Sequence, residues 1–122
     1  ASRGIAVIGF SLGAYYALDL AAAEPGRVHS VVVFYGTGGG DFSGSRAAYL
    51  GHFADADEFE PRSGVDALEA ALRRAGRPVT FHRYAGTGHW FFEPDRAQAF
   101  NQAAASLAWD RTVAFLERSP TA

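Results

Sequence analysis

Two short apolar runs, "GIAVIG" (4–9) and "VHSVVVFYG" (28–36), each end in glycine and lie one helix-length apart. No other feature constrains the fold as much. A strand apolar at nearly every position, rather than at alternate ones, is expected to be covered on both faces, as in a parallel sheet. The segment between the runs, "LGAYYALDLAAAEPG", carries Ala and Leu at helical spacing and stops at Pro25-Gly26, so it reads as the helix of a strand–helix–strand unit.

The pattern continues downstream. "TGGGDFSGSR" (37–46) has no helical period and reads as a loop; "AAYLGHFA" (47–54) is a third strand, followed by the acidic loop "DADEFEP". "SGVDALEAALRRAG" (63–76) is an amphipathic helix with Ser63 as its expected cap, Val65, Leu68 and Leu72 on one face, and Gly76 as its stop. "PVTFHRYAG" (78–86) is a fourth strand, and residues 103–118 form a last helix with Leu107, Val113, Phe115 and Leu116 as its expected apolar side. The order predicts one α/β domain spanning 1–122, a mostly parallel sheet of about four strands with helices on both faces.

Composition narrows the chemistry. A net charge of −2 over 122 residues gives no basic surplus for a phosphate backbone or an anionic membrane, so neither nucleic acid nor membrane is an expected partner. The chain has no cysteine, so a nucleophile must carry oxygen or nitrogen. No apolar stretch reaches the roughly 18 to 20 residues of a membrane span, and a cytoplasmic location is the default expectation. The glycines at 36–40 would suit a nucleotide loop only if they opened a helix beside a phosphate-holding charge, and they do neither.

In a parallel sheet, ligands bind beyond the carboxyl ends of the strands. Ser11 follows the first strand, Asp55 and Asp57 the third, and His89 the fourth. Ser11 lies in "GFSLG" (9–13), a G-x-S-x-G turn between strand and helix, and Ser, Asp, His is the chain order of an α/β-hydrolase triad. Glycines at 9 and 13 are expected to relieve crowding at that corner. The Leu12 N–H at the helix start is the expected oxyanion donor, and His89 is the candidate base. His29, His52 and His82 lie in or beside strands and are expected to pack there or face solvent, and no metal site or cofactor is expected. Trp90, Phe91 and Phe92 suit either an acyl pocket or the core; Tyr15 and Tyr16 read as packing residues.

"VIGFSLGAYYAL", "YLGHFADADEFEP", "ALEAALRRAGRPVTFHRYAGTGHWFF" and "AWDRTVAFL" together resemble the dienelactone hydrolase family of α/β hydrolases. The resemblance implies Ser11 as nucleophile, Asp57 rather than Asp55 as the acid, and His89 as base, hence hydrolysis of a small-molecule ester or lactone. The founding enzymes carry cysteine where Ser11 stands. They hold a substrate carboxylate with arginines, one of them four residues after the catalytic His, where this chain has Glu93; no arginine carries over, and dienelactone is not the expected substrate.

The resemblance also implies that the chain matches the C-terminal half of the usual fold. The other half would carry four further strands and the second oxyanion N–H. Residues 4–9 would then form an apolar sheet edge, which invites a homodimer through that strand. The competing expectation is a non-catalytic or partner-dependent half-domain that serves in binding or assembly.

Overall fold

A computed structural model describes residues 4–118. Four parallel strands, β1 (Ile5–Phe10), β2 (Val28–Phe34), β3 (Ala48–Ala54) and β4 (Val79–Tyr84), form one sheet in the order β1-β2-β3-β4. Helices α1 (Leu12–Ala23), α2 (Arg62–Arg74) and α3 (Gln102–Arg118) complete the fold. This is the α/β architecture expected from the alternation of apolar runs and helical segments.

The sheet divides the core in two. From β2, Val31 and Val33 face one way and pack with Ala14, Leu18 and Ala21 of α1 and with Val65, Leu68 and Leu72 of α2. Val32 and Phe34 face the other way, towards Ala104 and Ala108 of α3. The β2–β3 connection has no helix, but buried Phe42 inserts into the α1–α2 side, with its ring against Tyr49. That loop therefore takes the position a crossover helix would occupy.

Several local expectations are corrected. The first apolar run reads as a strand covered on both faces, yet Ile5, Ile8 and Phe10 of β1 are exposed; its place at the sheet edge is the one the family resemblance implies. Ser63 does not cap α2: Pro61 stands at the cap, and its carbonyl accepts from the N–H groups of Gly64 and Val65, so the helix has begun before Ser63. Its stop is as expected: Gly76 takes φ +75°, its N–H donates to Arg73 O, and Arg77 N–H reaches back to Leu72 O, a Schellman closure.

Helix α3 does not bury Leu107 and Val113, which are exposed, although Phe115 and Leu116 pack on the core. Its buried stripe is Ala104, Ala105, Ala108 and Thr112, small residues that let the helix approach the sheet closely.

Helix α3 is also tied to the sheet by polar contacts. Fully buried His52 of β3 donates through Nε2–H to Thr112 Oγ1 (2.9 Å), whose own hydroxyl donates to Ala108 O (2.8 Å). His52 Nδ1 in turn accepts from the Tyr84 hydroxyl (2.7 Å). Burial, with the nearby charges of His82 and Arg111, pushes His52 down to about 3, so the ring is neutral. Such a buried polar group is tolerated because both ring nitrogens are satisfied.

Candidate functional site

At the end of β1 the chain turns sharply into α1, and Ser11 sits at the corner with φ +55° and ψ −119°. A non-glycine residue with positive φ is strained by about 1 to 3 kcal/mol and persists only when its surroundings fix it. Here Ser11 N–H donates to Phe34 O of β2 (2.9 Å), and Ser11 O accepts from Ala14 N–H (2.9 Å). Gly9 is needed at this corner, since a Cβ there would lie 2.3 Å from Gly13 O. Gly13 itself is not: a Cβ there meets nothing within 4 Å, contrary to the reading of the motif. The second glycine the corner requires is Gly36, across from it on the loop after β2, where a Cβ would lie 2.2 Å from Ser11 O.

The loop after β3 supplies the carboxylate. Asp57 Oδ1 accepts the N–H groups of Phe59 (2.8 Å) and Glu60 (3.0 Å), and Oδ2 points to His89 Nδ1 (2.7 Å). Its side chain is only 3% exposed. Both oxygens are therefore engaged, and the turn that holds them leads into α2. Asp55 is exposed on the same loop and is not part of this arrangement.

His89 follows β4 in a turn and is 7% exposed. A carboxylate only accepts, so the Asp57 contact assigns the proton to Nδ1. Nε2 is then the acceptor for the Ser11 hydroxyl, 2.9 Å away. Three rings surround the imidazole: Trp90 (4.7 Å between centroids), Tyr35 (4.9 Å) and Phe59 (5.1 Å). An alcohol, a base and a carboxylate in this series can pass the alcohol's proton to the imidazole and stabilise the resulting imidazolium.

Leu12 opens α1, so its N–H has no carbonyl partner one turn back within the helix. A cleft of about 250 Å³ lies above the serine, lined in part by Ser11, Leu12, Tyr15, Phe59, Glu60 and His89. Tyr15, expected to pack, is instead half-exposed here with its ring edge-on to Tyr16. Of the three aromatics after His89, Phe91 is core, Phe92 packs on Phe34, and Trp90 lies beneath the Arg96 guanidinium (4.1 Å). Trp90 and His89 also border a larger cleft of about 610 Å³.

Contacts between loops escape a linear reading. Thr37 donates to the Glu60 carboxylate, joining the loop after β2 to the Asp57 loop, and Tyr35 donates to Glu93. Neither bond leaves a local signal in the sequence, since the partners lie 23 and 58 positions apart. Among the described residues, no helix is long and apolar enough to cross a membrane, and no group of three or more His, Cys, Asp or Glu could hold a metal ion.

A model of the dienelactone hydrolase family matches residues 1–119. The chain belongs to the dienelactone hydrolase family. A protein of Saccharolobus solfataricus named "Putative carboxymethylenebutenolidase" is 30% identical over 119 residues, which is 95% of this chain but 45% of that protein. Among solved structures, a dienelactone hydrolase-like promiscuous phosphotriesterase from metagenomic libraries superposes with a TM-score of 0.82 at 20% identity, covering 93% of this chain and 52% of that one. An α/β hydrolase from a Medee basin deep-sea metagenome library gives 0.79 at 21% identity, with 93% and 53% covered. At these identities the structural likeness is one of fold. The chain thus spans about half the length of the dienelactone hydrolase relatives it matches.

Proposed function

We propose that the chain is a serine hydrolase of ester or lactone bonds, carrying the nucleophile, acid and base of the site. The observation behind this reading is the hydrogen-bonded series from Ser11 Oγ through His89 to Asp57, set at a strained strand–helix corner. Membership of the dienelactone hydrolase family supports it.

In this reading Ser11 Oγ attacks the substrate carbonyl carbon as its proton passes to His89 Nε2. Asp57 keeps the imidazole oriented and stabilises its positive charge. The Leu12 N–H faces the developing oxyanion, aided by the positive end of α1. As the carbonyl re-forms, the carbon–oxygen bond to the leaving group breaks and His89 returns the proton to that alkoxide. Water, deprotonated by His89, then attacks the acyl carbon; the bond to Ser11 Oγ breaks, and His89 returns the proton to that oxygen as the acid product leaves. No step calls on a metal or cofactor. Lack of one oxyanion donor commonly costs about 10²- to 10³-fold in rate, so slow turnover is the expectation for this half alone.

Hydrolysis of p-nitrophenyl acetate by the 122-residue chain and by Ser11→Ala tests the reading. Activity present in the parent and lost in the variant supports it; equal rates in the two refute it. A second reading, a partner-dependent half-domain, is favoured by the outer edge of β1, which no other strand among the described residues covers and where Ile5 and Ile8 are exposed. Under it, activity appears only once that edge is occupied.

A further inference from the structure

The turn that carries His89 is held at a second point, well away from Asp57. Tyr35, the first residue past β2, is fully buried at φ +38°, and its N–H donates to His52 O (2.7 Å). Its ring lies against both His89 and Phe91. The Tyr35 hydroxyl donates to the Glu93 carboxylate. Burial, followed by the bond and charge of Glu93, raises this phenol far above its ordinary value, so it remains a donor.

The preceding residue, Phe34, offers its carbonyl to Ser11 N–H. Consecutive residues at the end of β2 therefore locate the serine and the base. The base's turn needs such a hold, because Trp90, next to His89, takes φ +67°, a conformation that ordinary side chains avoid unless surrounding contacts impose it.

We propose that Tyr35 and Glu93 are positioning residues: their hydrogen bond latches the 89–93 turn to the end of β2 and keeps His89 Nε2 within reach of Ser11 Oγ. The latch rests on the hydrolase reading for its consequence in catalysis. Neither residue donates or accepts a proton in the reaction; both act through His89. A displacement of about 1 Å at a reacting group can cost on the order of 10²-fold in rate, and release of the turn would produce a shift of that kind.

The test compares the full chain with Tyr35→Phe, Glu93→Ala, Glu93→Gln and the Tyr35→Phe/Glu93→Ala double variant. Tyr35→Phe keeps the buried ring and deletes only the hydroxyl; Glu93→Ala leaves that ring untouched should the other variant fail to fold. The readouts are the rate of Ser11 labelling by a fluorophosphonate, kcat and KM for p-nitrophenyl acetate, and the downfield proton resonance of His89 Nδ1–H.

The expected result is a loss of about 10- to 100-fold in labelling and kcat for each single variant, with KM unchanged. The double variant should be no worse than either, and Glu93→Gln, whose amide oxygen still accepts from Tyr35, should recover most of the loss. The Nδ1–H resonance should broaden in Tyr35→Phe and Glu93→Ala and stay sharp in Glu93→Gln. Folded variants that label at the parent's rate, or losses that multiply in the double variant, overturn the latch. If the parent shows the resonance but Ser11 does not label, the hydrolase reading fails, and the resonance alone decides: unchanged in the variants, it overturns the latch as well.

Discussion

Gly36 lies so close beneath the Ser11 carbonyl that a methyl group in its place would stand 2.2 Å from that oxygen and 2.7 Å from Ala14 Cβ. The serine's corner is thus shaped from the neighbouring strand as much as by its own motif. Gly36→Ala should push the end of β2 away from the corner, destabilise the fold by about 1 to 3 kcal/mol, and slow Ser11 labelling more than it lowers the urea midpoint would explain. Gly13→Ala, by contrast, adds a methyl to open space on α1 and should stabilise the fold by up to about 1 kcal/mol, raising the midpoint. Urea titrations of both variants check the pair; equal destabilisation by the two would contradict the packing.

Asp57 and Asp55 sit two residues apart, but only the Asp57 carboxylate is buried against His89. In Asp57→Asn the Oδ1 bonds to Phe59 and Glu60 can persist, while an amide N–H group meets His89 Nδ1–H, favouring the opposite tautomer and removing the acceptor Ser11 needs. The expected loss in ester hydrolysis is about 10⁴-fold, the size of effect seen when a triad carboxylate becomes an amide. Asp55→Asn, on an exposed side chain, should leave kcat/KM close to the parent's. Comparable losses in both would reassign the acid.

Much of this site could be read along the chain because the sheet itself orders it. Parallel strands bring their carboxyl ends to one side, so Ser11, Asp57 and His89 converge once the apolar runs are recognised as strands. What could not be read depends on how loops pass one another. Tyr35 and Glu93 are 58 positions apart, and nothing in either local pattern signals their bond. By pattern Gly36 reads as the start of a glycine-rich loop and Gly13 as a required motif position, but steric need at the corner is set by the neighbouring strand. Helix α3 misled for a related reason: large apolar residues suggested its buried side, whereas close approach to the sheet selected the alanines and Thr112.

The His52 network makes stability depend on pH in a definite direction. Its folded value is pushed down to about 3 from 6.5, by burial first and then by the charges of His82 and Arg111. The neutral ring donates to Thr112 and accepts from Tyr84; a proton on Nδ1 would meet the Tyr84 hydroxyl hydrogen. Below 6.5 the unfolded chain binds a proton that the folded chain refuses, so stability is full above that pH and declines towards about pH 3. The slope should approach about 1.4 kcal/mol per pH unit from this one group. In His52→Gln the decline between about pH 6.5 and 4.5 should be shallower by most of that amount. An unchanged slope in urea titrations would assign the acid sensitivity elsewhere.

The free edge of β1 bears on what state of the chain can act. Among the described residues no strand neighbours its outer side in the order β1-β2-β3-β4, and Ile5 is 47% and Ile8 39% exposed. An uncovered apolar edge strand pairs readily with another strand, and a two-fold axis beside β1 would join two copies antiparallel into one continuous sheet. Light scattering should then give twice the 13.0 kDa chain mass, with a concentration-dependent return to monomer. Ile8→Lys, which places a charge beside the edge, should shift that return to higher concentration and speed hydrogen exchange at the β1 amides. A parent chain that stays monomeric at every concentration, with β1 amides exchanging freely, would mean that a second copy does not cover this edge. The occupant to seek would then be a segment equivalent to the half of the fold that the dienelactone hydrolase relatives have in addition.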